Sequence, residues 1–169
     1  MSKFLLSIGL SLGMLFMQKE PPPNSWRGIV PLMTKRTEVE TILGSPTSGS
    51  GFVLSYDTQA ERITIWYAGA KSAKGNPCKW SLPSDTVINF IVAPKRTELV
   101  SELKFDLKRF EKHEDLEMKG DFYYFDEQDG ITVETRLIDG KEVLGSIHLN
   151  ATLVQTRKYC KSGMSQTCR

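Results

Sequence analysis

The chain has 169 residues, of which 40% are hydrophobic and 25% are charged, and its formal net charge is +2. This length accommodates one domain with a hydrophobic core, and the apolar fraction excludes a disordered chain. The nearly balanced charge excludes the general electrostatic attraction on which non-specific nucleic-acid binding depends. Composition therefore predicts a single folded domain with no nucleic-acid partner.

The first 20 residues predict an export signal. Lys3 precedes an uncharged apolar run over residues 4–17, which is too short to span a bilayer and fits a secretory signal. No Ala-x-Ala cleavage site follows, so residues 1–20 are a cleaved signal or an N-terminal tether; a buried first helix is the alternative. Residues 21–25 form a Pro-rich spacer and residues 26–169 the domain. We expect a periplasmic or extracellular protein that contacts the membrane only through its N-terminal segment.

A short helix is predicted over residues 35–43. Thr37 and Glu40 have the spacing of a capping box, with Thr37 as the N-cap residue. Gly44 occupies a natural C′ position, where we expect a left-handed backbone, and Pro46 prevents the helix from continuing.

A β-hairpin is predicted next, because apolar residues alternate over residues 52–57 and again over residues 62–67. A four-residue loop between these strands places all the alternating apolar side chains on one buried face. The predicted cross-strand pairs are Tyr56 with Ile63, Leu54 with Ile65 and Phe52 with Tyr67. Residues 86–93 form a nearly continuous apolar run, which is typical of a central strand.

Residues 97–114 fit two patterns. Leu99, Leu103, Leu107 and Phe110 keep helical spacing, whereas apolar residues at 103, 105 and 107 also alternate with charged ones as in a strand. We favour a helix, because residues with good helix propensity dominate the segment.

A second hairpin is predicted over residues 121–125 and 131–138, followed by a last strand that ends near Leu149. A two-residue turn at Asp139-Gly140 would place Val143 opposite Arg136 and separate the apolar sets. We therefore predict an odd-length loop, over residues 139–141 or 138–140, with Gly140 in a bulge.

The two halves of the domain are similar in sequence. Residues 56–65 (YDTQAERITI) and 124–133 (YFDEQDGITV) share a Tyr-to-Ile spacing and a following Thr. We interpret the chain as a tandem duplication of helix–strand–strand–strand, with repeats over residues 33–93 and 97–149. The predicted fold class is α+β: an antiparallel sheet with short helices on one face.

Residues 33–46 (MTKRTEVETILGSP) resemble the opening helix of the SmpA/OmlA (BamE-like) envelope proteins, which has a Thr-containing start, Glu-Val and Leu-Gly-x-Pro. Beta-lactamase-inhibitor-like proteins use a related helix–hairpin module in tandem. The resemblance implies a fold of this kind. The lipid-attachment Cys of the SmpA/OmlA proteins is missing, and no functional residue of either family is carried over.

The best candidate for partner binding is a basic loop over residues 68–80. It carries Lys71, Lys74, Lys79 and Trp80 among small residues, and a Trp on a cationic loop suits contact with a partner. The alternative is a plain connection whose Trp80 folds into the core.

The sequence lacks the motifs of common catalytic and metal sites, including a Gly-x-Ser-x-Gly elbow and a Cys-x-x-Cys pair. His113 lies near Glu111 and Glu114, but we interpret it as a solvated helix end, His148 as a packed or edge histidine and residues 126–130 as a turn. We therefore expect no metal and no cofactor. The predicted function is a non-catalytic binding or assembly module of the cell envelope, with another envelope protein as partner. The alternative is a small extracytoplasmic hydrolase whose carboxylates converge only in the fold.

The cysteines generate the first testable prediction, because export permits a disulfide. We expect Cys78 to pair with Cys160, since Cys160 follows the last apolar stretch and Cys168 adjoins the terminus. This bridge closes a loop of about 80 residues and stabilises the fold by up to roughly 4 kcal/mol. Non-reducing peptide mapping of oxidised protein should recover the 78–160 cross-link. The alternatives, which that experiment distinguishes, are a Cys160–Cys168 bond and no disulfide.

Overall fold

The computed structural model describes residues 21–69, 82–103 and 106–159. This part of the chain is α+β with the sheet dominant, and it contains eight strands and two short α-helices. The helices are α1 (Arg36–Leu43) and α2 (Leu153–Tyr159). The strands are β1 (Ser48–Ser50), β2 (Val53–Asp57), β3 (Glu61–Tyr67), β4 (Val87–Pro94), β5 (Glu111–Glu114), β6 (Asp121–Asp126), β7 (Ile131–Ile138) and β8 (Lys141–Leu149). Neither described helix has the length and hydrophobicity needed to span a membrane.

All eight strands form one antiparallel sheet in the order β1-β2-β3-β4-β8-β7-β6-β5. Strands β4 and β8 meet at its centre and join the two halves of the chain. Their pairing is short, and its three residue pairs are Phe90 with Leu149, Ile91 with His148 and Val92 with Ile147.

The hydrophobic core lies on one face of the sheet. A cross-strand row on this face contains Tyr56, Ile63, Val92, Ile147, Val133 and Tyr124. Val39 of α1 is fully buried in the same core. The opposite face, called the second face below, carries the neighbouring row. That row contains Ser55, Thr64, Ile91, His148, Thr132, Phe125 and Glu111.

The predicted first hairpin is confirmed in its register. Tyr56 lies opposite Ile63 and Leu54 lies opposite Ile65, and all four side chains are buried. Phe52 differs: its carbonyl accepts a hydrogen bond from Tyr67 N–H, but its side chain is 51% exposed. The predicted central strand is also confirmed, because β4 lies between β3 and β8.

The helix predicted over residues 35–43 is present as α1, but its N-cap lies two residues earlier than the sequence predicts. Lys35 is the N-cap residue, and its backbone N–H donates to the Glu38 carboxylate at 2.7 Å. Thr37 is therefore not the cap, and Glu40 instead accepts a hydrogen bond from the guanidinium of Arg36 at 2.8 Å.

The helix predicted over residues 97–114 is wrong for the described part of that segment. It contains two 3₁₀ turns, Val100–Glu102 and Leu107–Arg109, followed by strand β5. Both ends of the segment pair with strands: the Glu98 carbonyl accepts from Leu144 N–H, and β5 pairs with β6. These pairings override helix propensity. Three of the four predicted apolar residues still contact the core; they are Leu103, Leu107 and Phe110.

The odd-length loop predicted between β7 and β8 is also wrong. Asp139 and Gly140 form a two-residue turn in which both have positive φ, at 50° and 72°, and Arg136 lies opposite Val143. A β-bulge corrects the register instead: Glu134 pairs with Ser146 and Thr135 with Leu144, so the residue between, Gly145, has no partner on β7.

The end of α1 generates a stability prediction. Gly44 has φ 81° and ψ −166°, a conformation that is essentially restricted to glycine. A Cβ atom there would meet nothing within 4 Å, so Gly44→Ala tests the backbone alone. We expect it to lower the free energy of unfolding by about 1–3 kcal/mol.

Urea denaturation measures this difference. The control is Ser45→Ala at the exposed neighbouring position, which should change stability by less than about 0.5 kcal/mol. Equal stability of Gly44→Ala and wild type would contradict the assigned helix end.

Candidate functional site

A cleft of about 500 Å³ lies at one end of the second face, beside α2. We call it the α2 cleft. Its volume is within the range of small-ligand and side-chain pockets. Residues from four strands and from the chain after β8 line it, among them Asn89, His113, Phe125, Thr132, Asn150 and Thr156.

Strand β4 contributes two consecutive residues to the α2 cleft because it contains a β-bulge. Trp66 pairs with Asn89 and Tyr67 pairs with Val87, so Ile88 has no partner on β3. Ile88 and Asn89 both line the cleft. The Oδ1 atom of Asn89 is buried and has no hydrogen-bond partner among the described residues. Bulges re-aim side chains next to functional sites, and this one places two consecutive residues of β4 at the cleft.

Strands β5 and β6 form the aromatic side of the cleft. His113 Nε2 lies 2.9 Å from Glu111 Oε1, and the His113 ring meets the Phe125 ring edge-to-face at 5.4 Å. The Tyr123 ring stacks with the Phe125 ring, with 6.1 Å between their centroids. His113 is therefore part of a strand and not the helix end that the sequence suggested.

The β6–β7 turn adds carboxylates to the mouth of the cleft. Asp126 and Glu127 line it, and Gly130 follows with a φ of 70°. Arg109 lies 3.1 Å from Asp126 Oδ2 and 2.8 Å from Asp129 Oδ2. The predicted turn over residues 126–130 is thus confirmed, and a single guanidinium holds two of its carboxylates.

A buried amide positions α2 at the cleft. Asn24 is fully buried, and its Nδ2 donates to the Asn150 carbonyl at 2.7 Å and to Gln155 Oε1 at 2.8 Å. Thr152 and Gln155 form a reciprocal capping box, with bonds of 2.8 and 3.1 Å between backbone N–H groups and side-chain oxygens. The Thr152-Leu-Val-Gln155 spacing is a helix-start signal that the sequence analysis missed.

A second polar cluster lies on the second face at the β7–β8 pairing. Ser146 Oγ donates to Glu134 Oε2 at 2.7 Å and lies 2.8 Å from His148 Nε2. Which atom donates in the Ser146–His148 contact depends on the histidine tautomer.

The residues that the sequence singled out for binding lie outside the described residues. These are Lys71, Lys74, Lys79 and Trp80, together with Cys78 and Cys160 of the predicted disulfide. Within the described ranges, His, Cys, Asp and Glu side chains form no group suited to holding a metal ion.

Few features of the sequence indicate the α2 cleft. The sequence analysis interpreted His113, near Glu111, as a helix end. It treated Asn89 only as part of the apolar run over residues 86–93. The one available signal was that polar residue inside a strand otherwise made of apolar side chains.

Comparison of the chain with protein-family models, with curated proteins and with solved structures gives no match.

A hydrogen-bonded carboxylate anchors β5, which carries two residues of the cleft. Glu142 accepts hydrogen bonds from Tyr124 at 2.7 Å and from Thr135, and lies 3.3 Å from Lys112 Nζ. Lys112 also lies 3.9 Å above the Phe122 ring. Burial raises the pKa of the Glu142 carboxyl, but these donors and the ammonium outweigh it, so its pKa lies below the usual range.

This lowered pKa predicts pH-dependent stability. A group whose pKa is lower in the folded state stabilises above its unfolded pKa, and the stabilisation disappears as pH falls through the folded value. Glu142→Gln should therefore cost about 1 kcal/mol at pH 7 and nothing once the carboxyl is protonated in wild type. Urea denaturation between pH 7 and pH 3 measures the two curves. Parallel curves, as expected for the control Glu98→Gln at an exposed position, would contradict the assignment.

Proposed function

We propose that the protein is a non-catalytic binding module of the cell envelope and that it holds its partner in the α2 cleft. The observation that carries this proposal is a cleft whose lining combines apolar and aromatic side chains with carboxylates. Clefts of this composition bind ligands, since apolar lining supplies affinity and a few polar groups supply specificity.

The fixed frame of the cleft supports binding. Its residues come from strands of one hydrogen-bonded sheet, and Asn24 ties α2 to the end of β8. A preorganised site loses little conformational entropy when a partner binds.

The alternative, a small extracytoplasmic hydrolase, gains one observation, because Glu111, Asp126 and Glu127 line the same cleft. A carboxyl that acts as general acid needs a desolvated, apolar setting. Asp126 is paired with Arg109 at 3.1 Å, the Glu111 side chain is 74% exposed, and Glu127 is also exposed. None of the three carboxyls has that setting, so binding is the better-supported function.

Export remains part of the proposal. Its support is the apolar segment over residues 4–17, and the partner is then another envelope protein that meets the domain outside the cytoplasm. A disulfide between Cys78 and Cys160 belongs to the same proposal.

We also propose that the sheet arose by duplication, with helices on one face and a module like that of BamE-like envelope proteins. The mirrored strand order about β4 and β8 supports this. Two details differ between the halves. In the second half, 3₁₀ turns stand where α1 stands in the first half. Tyr124 pairs with Val133, whereas its counterpart Tyr56 pairs with Ile63.

Filling the cleft tests the proposed function. Thr132 is half-buried on β7 and lines the cleft, and Trp is compatible with a strand, so Thr132→Trp should block the site without breaking the sheet. In a pull-down from envelope extract with the full chain as bait, the specific partner should be retained by wild type and lost at least ten-fold with Thr132→Trp.

The matched control is Thr64→Trp. Thr64 lies in the same cross-strand row on the second face, is equally half-buried and does not line the cleft. This variant should retain the partner at the wild-type level. Identical capture by all three baits would overturn the proposal that the α2 cleft is the binding site.

A further inference from the structure

The described chain starts at the end of the domain that carries the α2 cleft. Asn24 is fully buried, and its Nδ2 donates to the Asn150 carbonyl at 2.7 Å. Asn150 lines the cleft, and its backbone N–H donates at 2.8 Å to the carbonyl of Gly130, which also lines it. The apolar run over residues 4–17 is therefore attached to the domain at the cleft and not at the opposite end of the sheet.

The connection between the apolar run and the domain is short. The run ends at residue 17, seven residues before Asn24, and seven extended residues reach at most about 25 Å. Ser25 N–H donates to the Pro22 carbonyl at 2.9 Å, so residues 22–25 form a turn that shortens this reach. A surface that holds the apolar run consequently also holds the cleft end of the domain close to it.

The residues after the apolar run do not fit removal of the export signal. A signal is cleaved after small residues in an Ala-x-Ala-like pattern, and residues 14–24 (MLFMQKEPPPN) contain no Ala, Gly or Ser. Ser11 and Gly13 have the required spacing but lie inside the run. Ser25 is the next small residue, and Pro23 occupies the position two residues before it, where the pattern again needs a small side chain.

Cleavage beyond Asn24 would also remove a structural contact. Asn24 Nδ2 donates to Gln155 Oε1 at 2.8 Å, and the same oxygen accepts from Thr152 N–H in the capping box of α2. A chain that lacked residue 24 would leave the end of β8 and the start of α2 without the amide that joins them. The fold therefore requires the residues that follow the run to stay with the domain.

We propose, on the basis of the proposed function and its export, that residues 1–20 are retained and hold the domain at the membrane with the α2 cleft toward the bilayer. An apolar run of 14 residues fits a segment that enters the membrane interface. The partner is then a protein of the same membrane, because a shared surface raises the effective concentration of such a protein at the cleft.

Retention is tested on the full chain expressed in a bacterial host. Intact-mass analysis of the membrane fraction should find the chain with residues 1–20 attached. The matched control is Met17→Ala/Lys19→Ala, which places an Ala-x-Ala pattern at residues 17–19 and leaves residues 20–169 unchanged. This variant should be cleaved after residue 19 and shift to the soluble exported fraction. A wild-type chain that begins at residue 14 or later, an uncleaved wild type in the soluble fraction, or an uncleaved variant would overturn the proposal.

Orientation is tested by NMR on the isotope-labelled full chain in lipid nanodiscs that contain a paramagnetic lipid headgroup. Gly130 lines the cleft and Gly140 lies in the turn at the other end of β7, whose 8 residues separate the two amides by roughly 25 Å. Because paramagnetic relaxation falls steeply with distance, the Gly130 amide signal should weaken more than the Gly140 signal. Equal loss, or a greater loss at Gly140, would overturn the orientation.

The partner is sought separately in the membrane and soluble pools of the envelope extract. The protein whose capture depends on Thr132 should come from the membrane pool, and one from the soluble pool would overturn the stated class of partner. These outcomes are separable from the proposed function. Retention and orientation are measured without a partner, whereas identical capture by wild type and Thr132→Trp contradicts the cleft as binding site whatever the N-terminus is.

Discussion

The architecture depends on the pairing of β4 with β8. Three residue pairs join the two halves of the sheet, and the cross-strand rows of both faces run through them. On the core face, Val92 and Ile147 connect the row that begins at Tyr56 with the row that ends at Tyr124. Burial of this row removes apolar area from water on both sides of the junction, so each half stabilises the other.

The same short pairing creates the α2 cleft. Strand β8 ends at Leu149, whose partner is Phe90, so Ile88 and Asn89 of β4 extend beyond the last β8 pair. The chain then turns at Asn150, where its N–H donates to the Gly130 carbonyl and its own carbonyl accepts from Asn24. A Cβ atom at Gly130 would lie 2.6 Å from the Asn150 carbonyl oxygen, so glycine permits this close approach. The α2 cleft is the space between the end of β4 and the segment that begins at Asn150.

Local patterns predicted the parts of this fold whose contacts are local. The alternation in β2 and β3 and the apolar run of β4 give the correct strands, because each pattern reports burial of one or both strand faces. The helix prediction over residues 97–114 was wrong because contacts outside the segment determine its backbone. The helical spacing of its apolar residues is real, and Leu103, Leu107 and Phe110 do contact the core, but pairing with β6 and β8 decides the backbone. Strand β6 follows β5 directly in the chain, but β8 is distant in sequence, as are the elements that converge on the α2 cleft.

At the turn after β7, the sequence argument identified a real register mismatch but placed its correction in the wrong part of the hairpin. A two-residue turn does place Arg136 opposite Val143, as the sequence argument stated. The sheet corrects the mismatch two pairs further on, by the bulge at Gly145, and not in the loop. A corresponding bulge at Ile88 directs Asn89 toward the cleft. The position of a bulge depends on the registers of the strands that pair on either side. A single sequence does not specify which strands pair.

The sheet edges decide which mode of recognition is open to the protein. Strand addition needs a long edge with free backbone groups and few charges. One edge is β5, whose four exposed residues are Glu111, Lys112, His113 and Glu114. The other edge is β1, a three-residue strand in which Gly49 has a φ of 102°. Both are poor templates for another strand. Both edges thus favour recognition through side chains, the mode that we propose for the α2 cleft at the end of the face opposite the core.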